Sequence, residues 1–191
     1  MKNYIVTISR TYGSGGKAIG KLLSQRLSIP YCNRELLEME TDYTDEKLSF
    51  SLASNGDSDQ EEPLFKTDDR MFEYQSARIR EIADKGSCLI VGRCADHILA
   101  GRDNLIKIYI YASQRNCMRR IMNLYGFYPE EAKAAIASAN RERAAYYKHY
   151  TGKEWHLPQQ YDLCIDSGVL GFEDCAGLIE DYIARRLKAN V

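Results

Sequence analysis

The residues with chemistry to offer are a glycine-rich run near the N-terminus and a scatter of arginines behind it. Gly13-Ser14-Gly15-Gly16-Lys17 follows the β-branched stretch Ile5-Val6-Thr7-Ile8, and apolar residues then recur at Ile19, Leu22, Leu23 and Leu27 with helical spacing. A strand, a glycine loop and a helix in that order aim backbone N–H groups at a phosphate. The glycines permit φ > 0 and close backbone approach. The open amides and dipole of a helix's first turn favour an anion. Arg34 and a later group of Arg115, Arg119, Arg120, Arg141 and Arg143 lie far from the loop in the chain, and guanidinium forks match phosphate oxygens bidentately. The chemistry these residues suit is phosphate binding and phosphoryl transfer.

Against the phosphate-loop pattern G-x-x-x-x-G-K-S/T, two alignments are open. With Lys17 as the loop lysine, the first glycine becomes Thr11 and the final hydroxyl becomes Ala18. With Gly13-Ser14-Gly15 laid on the G-S-G of nucleotide kinases, the lysine position is Gly16 and the next two residues are Lys17-Ala18. In both, the hydroxyl that holds Mg²⁺ is absent from its usual place. The plain alternative is a glycine-rich βα turn with no ligand.

The elements that must position these groups alternate between strand and helix. Ser28-Ile29-Pro30 ends the first helix, Pro30 to Asn33 reads as a short strand, and Arg34 opens a helix with Asn33 as N-cap. Arg34 then sits at a strand's C-terminal end, where ligands gather in open α/β sheets. Thr41 to Thr67, rich in Ser, Asn, Asp and Glu, reads as a mobile acidic insertion. A helix is expected over Asp68 to Lys85, with Met71, Tyr74, Ala77/Arg78 and Ile82 as its apolar stripe and Gly86 as its stop. Ser87 to Val91 is a continuous apolar strand running into Gly92-Arg93, and Leu105 to Tyr111 is another. Asp96 to Ala100 forms a helical turn or two between them.

Beyond Ser113, an N-cap, a helix carries Arg115, Arg119 and Arg120; Gly126-Phe127 turns the chain; and Pro129 opens a helix from Glu130 to about Tyr150 bearing Asn140, Arg141, Arg143 and Lys148. Arg115 and Arg119 share a helix face and repel, which an anion between them would offset. This hairpin, at about 113–153, reads as a helical lid over phosphates. Tyr161 to Asp166 is a last strand, and Phe172 to Leu187 a closing helix. The alternation implies a parallel sheet with helices on both faces, within one α/β domain over 1–191.

Composition narrows the partners. The net charge is −1 over 191 residues, so no global field draws in nucleic acid or anionic membrane, and no apolar run approaches bilayer length. The N-terminus enters a strand directly, without a signal-peptide pattern. The six cysteines lack C-x-x-C spacing and read as buried free thiols of a cytoplasmic protein; His97, His149 and His156 make no metal-like pair, and no protein metal site is expected.

The segments SRTYGSGGKAIGKLL, PYCNRELL, LIVGRCADHIL, NRERAAYYKHYTGKEW and YDLCIDSGVLG, in that order, resemble the cytidylate kinase-like family of bacterial P-loop proteins over nearly the whole chain. The resemblance implies a P-loop NTPase fold with a five-stranded parallel sheet and a helical lid. Cytidylate kinases move the γ-phosphoryl of ATP onto CMP or dCMP with Mg²⁺. By that likeness Gly13, Ser14, Gly15, Gly16 and Lys17 cradle the ATP phosphates, Arg93 grips the acceptor phosphate, and Arg34 lies on the nucleoside monophosphate side. Arg119 and Arg143 fall on the two lid arms, with Asn140 three residues before Arg143 where an Asp is usual. Asn33 stands where the family commonly has Asp, and the Arg-Asp pair of true cytidylate kinase lids falls at Ile136-Ala137.

The expected activity is ATP-dependent phosphorylation of a nucleoside monophosphate, with Lys17, Arg93, Arg119 and Arg143 carrying transfer. Two alternatives stand beside it. One is a nucleotide-binding sensor or interaction module with little turnover, favoured by Gly16 and Ala18. The other is a kinase of a different small molecule.

Overall fold

The first strand, β1 (Ile5–Arg10), has its side chains alternating between two cores, and that alternation organises the molecule. Val6 and Ile8 face a core built with Ile19 and Leu23 of helix α1 (Gly16–Leu27); Ile5 faces the opposite core, with Ile79 and Ala83. The computed structural model describes residues 3–34, 37 and 68–189. The acidic segment expected at about 41–67, and most of the helix expected after Asn33, lie outside the described residues.

Five strands pair in parallel in the order β2-β3-β1-β4-β5. β2 (Tyr31–Asn33) and β3 (Cys88–Val91) lie on one side of β1. β4 (Leu105–Tyr111) and β5 (Leu163–Asp166) lie on the other. Ile8 of β1 is in register with Val91 of β3 and Ile108 of β4. The central strands are apolar on both faces because both are covered. Ile5, Ile8, Leu89, Ile90, Ile106, Ile108 and Ile110 are all essentially inaccessible to water. Each such side chain contributes roughly 1.5–3 kcal/mol of burial.

Helix α2 (Asp69–Asp84) and the short α3 (Ala95–Ile98) cover one face. Helix α1 and the closing helix α6 (Ser167–Ala189) cover the other. The chain therefore leaves β1 toward one face and leaves β3 toward the opposite face. Between their carboxyl ends a crevice opens, the place where ligands settle in such sheets. The arginine hairpin is α4 (Gln114–Tyr125) and α5 (Pro129–Thr151), joined through Gly126 at φ +71°.

Two expectations need correction. In α2 the buried positions are Gln75, Ser76, Ile79 and Ala83, not the stripe through Met71, Tyr74, Ala77/Arg78 and Ile82. Tyr74 is exposed, while Phe72 turns inward and stacks on Tyr150 of α5, ring centroids 3.8 Å apart. An aromatic partner on another helix rotated the face that periodicity alone suggested. The closing helix also begins at Ser167, directly after β5, with its break at Gly171 (φ +80°, ψ 177°) in place of a loop up to Phe172.

Candidate active site

The phosphate loop joins β1 to α1, and its shape follows from two residues. Gly13 and Gly15 have φ of +80° and +82°, a region that costs an L side chain about 1–2 kcal/mol. The first helical bond of α1 runs from Ile19 N–H to the Gly15 carbonyl, 2.9 Å. The amides ahead of it form the helix's open end, and its N-cap, Gly15, has no side chain to close that end. Ser14 does not serve either: it is fully buried and its hydroxyl donates to the Thr11 carbonyl, 2.8 Å.

Three other segments hold the loop from behind. Arg120 of α4 donates through Nη1 to the carbonyls of Ser14 (3.0 Å) and Gly13 (3.3 Å) and to Ser167 Oγ (3.0 Å), and through Nη2 to the Ser167 carbonyl (2.7 Å). Its guanidinium lies over the Phe172 ring, 4.7 Å from the centroid. Ser167 Oγ donates to the Ser14 carbonyl. On the other flank Asn140 Oδ1 accepts from Tyr12 N–H, 2.8 Å. The loop's carbonyls thus face protein donors, which leaves its amide side for a ligand.

Above the carboxyl ends of β1 and β3, guanidinium groups gather. Arg143 of α5 donates to the Arg10 carbonyl, 3.0 Å, and lies over the Tyr12 ring at 5.4 Å. Burial lowers its pKa. Arg93 sits at φ +55°, between Gly92 (+82°) and Cys94 (+53°), and its guanidinium is 5.2 Å from the Tyr146 ring centroid. Left-handed residues without glycine cost of order 1–3 kcal/mol each and cluster at functional sites. Burial raises the Tyr146 phenol; Arg93, which hydrogen-bonds it, and Arg34 draw it back down. Arg10, Arg34, Arg93 and Arg143 therefore share one neighbourhood.

Of the residues singled out from sequence, the loop residues Gly13 to Lys17 open α1, with Lys17 exposed in its first turn. Arg34, Arg93 and Arg143 come together, and Asn140 serves the loop backbone. Arg119 stands apart: it is exposed and donates to Asn116 on its own helix, 2.9 Å, while its neighbour Arg120 reaches the loop. Sequence reasoning passed over Arg10, Arg120, Tyr12 and Tyr146. Arg120 carried a usable signal, since Cys117 and Ile121 place it beside the buried face of α4. At the place usually taken by the Mg²⁺-binding hydroxyl stands Ala18, and the Ser14 hydroxyl is turned to the Thr11 carbonyl. Among the described residues no group of three His, Cys, Asp or Glu could hold a metal.

A parallel five-stranded sheet with a glycine loop leading into α1, and arginines above its carboxyl edge, defines a P-loop kinase-type α/β protein. The sequence profile of the cytidylate kinase-like family matches residues 5–169, and the chain belongs to that family. Among curated relatives, a cytidylate kinase from Methanoculleus marisnigri is 28% identical over 116 residues, spanning 61% of this chain and 62% of that protein. An uncharacterized protein from Eubacterium ventriosum superposes with a TM-score of 0.78 at 26% identity, covering 95% of this chain and 98% of that one. A shikimate kinase from Bacteroides thetaiotaomicron (TM-score 0.59, 15% identity, 95% and 98% coverage) and a gluconokinase from Sinorhizobium meliloti (0.60, 11%, 96% and 93%) share the fold. No helix among the described residues is long and apolar enough to cross a membrane.

Proposed function

We propose that this protein transfers the γ-phosphoryl group of ATP to a nucleoside monophosphate, with CMP or dCMP as the first acceptors to test, in the cytoplasm. The observation that carries this reading is the meeting of an uncapped α1 N-terminus with Arg34, Arg93 and Arg143 at one sheet edge. Kinase relatives by family and fold support phosphoryl transfer to a small acceptor.

In this reading the loop from Gly13 to Lys17 holds the donor phosphates. Arg93, with Arg34, holds the acceptor's phosphate. Arg143 approaches the transferred group, Arg119 stays apart on its own helix, and Asn140 fixes the loop through Tyr12. An acceptor phosphate oxygen attacks the γ-phosphorus as the bond to the β-bridging oxygen breaks, and ADP leaves with that electron pair. The transition state is loose, so alignment and positive charge carry the catalysis and no nucleophilic side chain is required. Mg²⁺, where it accompanies the nucleotide, would neutralise phosphate charge.

A coupled ATP-to-ADP assay over the common nucleoside monophosphates tests the reading. Arg93→Ala is expected to lower kcat/KM for the acceptor by roughly 10²-fold or more, with the circular dichroism spectrum and Tm preserved. Wild-type rate and acceptor KM in that variant overturn it. A second reading, nucleotide binding with little turnover, is favoured by Ala18 in place of the loop hydroxyl. ATP binding without ADP production across an acceptor screen that includes shikimate and gluconate selects it. Turnover confined to a non-nucleotide acceptor selects a small-molecule kinase.

A further inference from the structure

We propose that Arg10 supplies the cation the phosphate loop lacks at Gly16, and that its guanidinium binds the β- and γ-phosphates of the nucleotide. This rests on the loop being a triphosphate site. Gly16 is the first residue of α1, and it touches Arg10 closely. A methyl group at Gly16 would lie 2.6 Å from Arg10 Cβ and 2.9 Å from Cγ. A lysine at 16 is therefore excluded while Arg10 is present. When Gly13-Ser14-Gly15 is laid on the G-S-G of the loop pattern, Gly16 takes the lysine's place and Arg10, six residues earlier, takes that of the first glycine. The pattern's glycine has become the cation and its lysine has become the glycine. The two exchanged positions abut in space.

The path of the side chain fits the role. From the end of β1 it crosses α1's first residue and reaches β3, where a methyl group at Gly92 would lie 2.1 Å from Arg10 Nη1. Gly92 takes φ +82°. The stem thus lies on the loop at Gly16 and the guanidinium lies against Gly92 past the end of β3, with Arg143, Tyr31 and Arg93 in electrostatic reach. It has no hydrogen bond and no carboxylate within 4 Å among the described residues, whereas Arg120 has four acceptors. Burial, with Arg143 and Arg93 adding like charge and Tyr31 opposing them, pulls its pKa down to about 9, so it is still cationic at neutral pH. A partly buried cation beside two others, without a carboxylate partner among the described residues, is unfavourable until an anion arrives. A forked guanidinium also suits two adjacent phosphates better than an ammonium does.

The experiment is titration calorimetry of ATP with Mg²⁺, and of AMP, on three proteins: wild type, Arg10→Met and the double variant Arg10→Gly/Gly16→Lys. Met keeps an aliphatic stem over Gly16. The double variant returns the ordinary arrangement. Arg10→Met is expected to weaken ATP by roughly 30-fold or more and AMP by less than about threefold. The double variant should recover most of the lost ATP affinity. ATP affinity within threefold of wild type in Arg10→Met overturns the proposal, as does equal loss for ATP and AMP. A double variant that recovers nothing while its Tm stays within a few degrees of wild type overturns it as well. If wild type itself does not bind ATP, the triphosphate reading fails, and this proposal with it; if only the Arg10 variants behave otherwise than expected, this proposal fails alone.

Discussion

Arg120 and Arg10 approach the same loop from opposite sides and are treated differently by their surroundings. Arg120 spends its donors on the carbonyls of Gly13, Ser14 and Ser167 and on Ser167 Oγ, and rests on Phe172. The lid-side cluster of Arg10, Arg93 and Arg143 holds three cations close enough to depress the Arg10 pKa. Its member Arg93 and the adjoining Cys94 sit in left-handed backbone. One region is a finished scaffold, with charge matched to backbone oxygen. The other gathers strained backbone and like charges, which an anion there would relieve. The difference sets an arginine whose donors are spent on the loop backbone against a group of arginines crowded together by like charge, and each side can be broken separately.

The largest effect is expected on the scaffold side. Arg120→Met leaves the Ser14 and Ser167 carbonyls without their charged donor and should lower stability by about 2–4 kcal/mol. Because the loop is then unheld, ATP affinity should fall in the same variant. Urea denaturation and nucleotide titration read the two losses together. A folded Arg120→Met protein with wild-type stability would show that the backbone of Gly13 to Gly16 keeps its own shape.

The strained side should behave in the reverse sense. Arg93→Gly and Arg93→Ala remove the same guanidinium, but only glycine accepts φ +55° without strain. Arg93→Gly is expected to be more stable than Arg93→Ala by about 1 kcal/mol, the left-handed penalty less the added freedom of the unfolded chain. Both should lose acceptor phosphorylation equally. Equal stability of the two variants in chemical denaturation would remove the argument that this corner is held under tension for the ligand.

The frame was legible in the sequence and the fine assignment of the arginines was not. Strands at Ile5, Ser87 and Leu105 read as apolar runs, and the two helices of the arginine hairpin were marked by Ser113, Gly126 and Pro129. Arg119 and Arg120 are adjacent, so their types say nothing of which faces the loop. That depends on how α4 seats Cys117 and Ile121. Gly16 departs from the motif's lysine, and the reason lies in Arg10, whose Cβ occupies the space a side chain at 16 would need. Pairwise contact across a turn leaves no periodic trace. The inward face of α2 was misjudged for a similar reason, since Phe72 answers to Tyr150 on a distant helix.

The smallest expected effect is a slope with pH beneath the strained corner. Asp96 is buried, and Tyr147 Oη donates to its Oδ2 at 2.7 Å. Burial pushes the carboxyl's pKa up, against the opposing hydrogen bond from Tyr147 and the charges of His97 and Lys107. The folded protein therefore holds this proton more tightly than the unfolded chain does. The stability it brings is complete below the ordinary carboxylate range and is lost as pH rises through the raised value. Asp96→Asn stays neutral at every pH and can still accept from Tyr147. Its stability should match or fall below wild type near pH 4 and overtake it as pH rises toward 8. Denaturant midpoints collected for both proteins across that range test the crossing. Parallel curves would mean that the aromatic layer of Tyr109, Tyr147, Trp155 and Tyr161 under the arginines tolerates a carboxylate as readily as an amide.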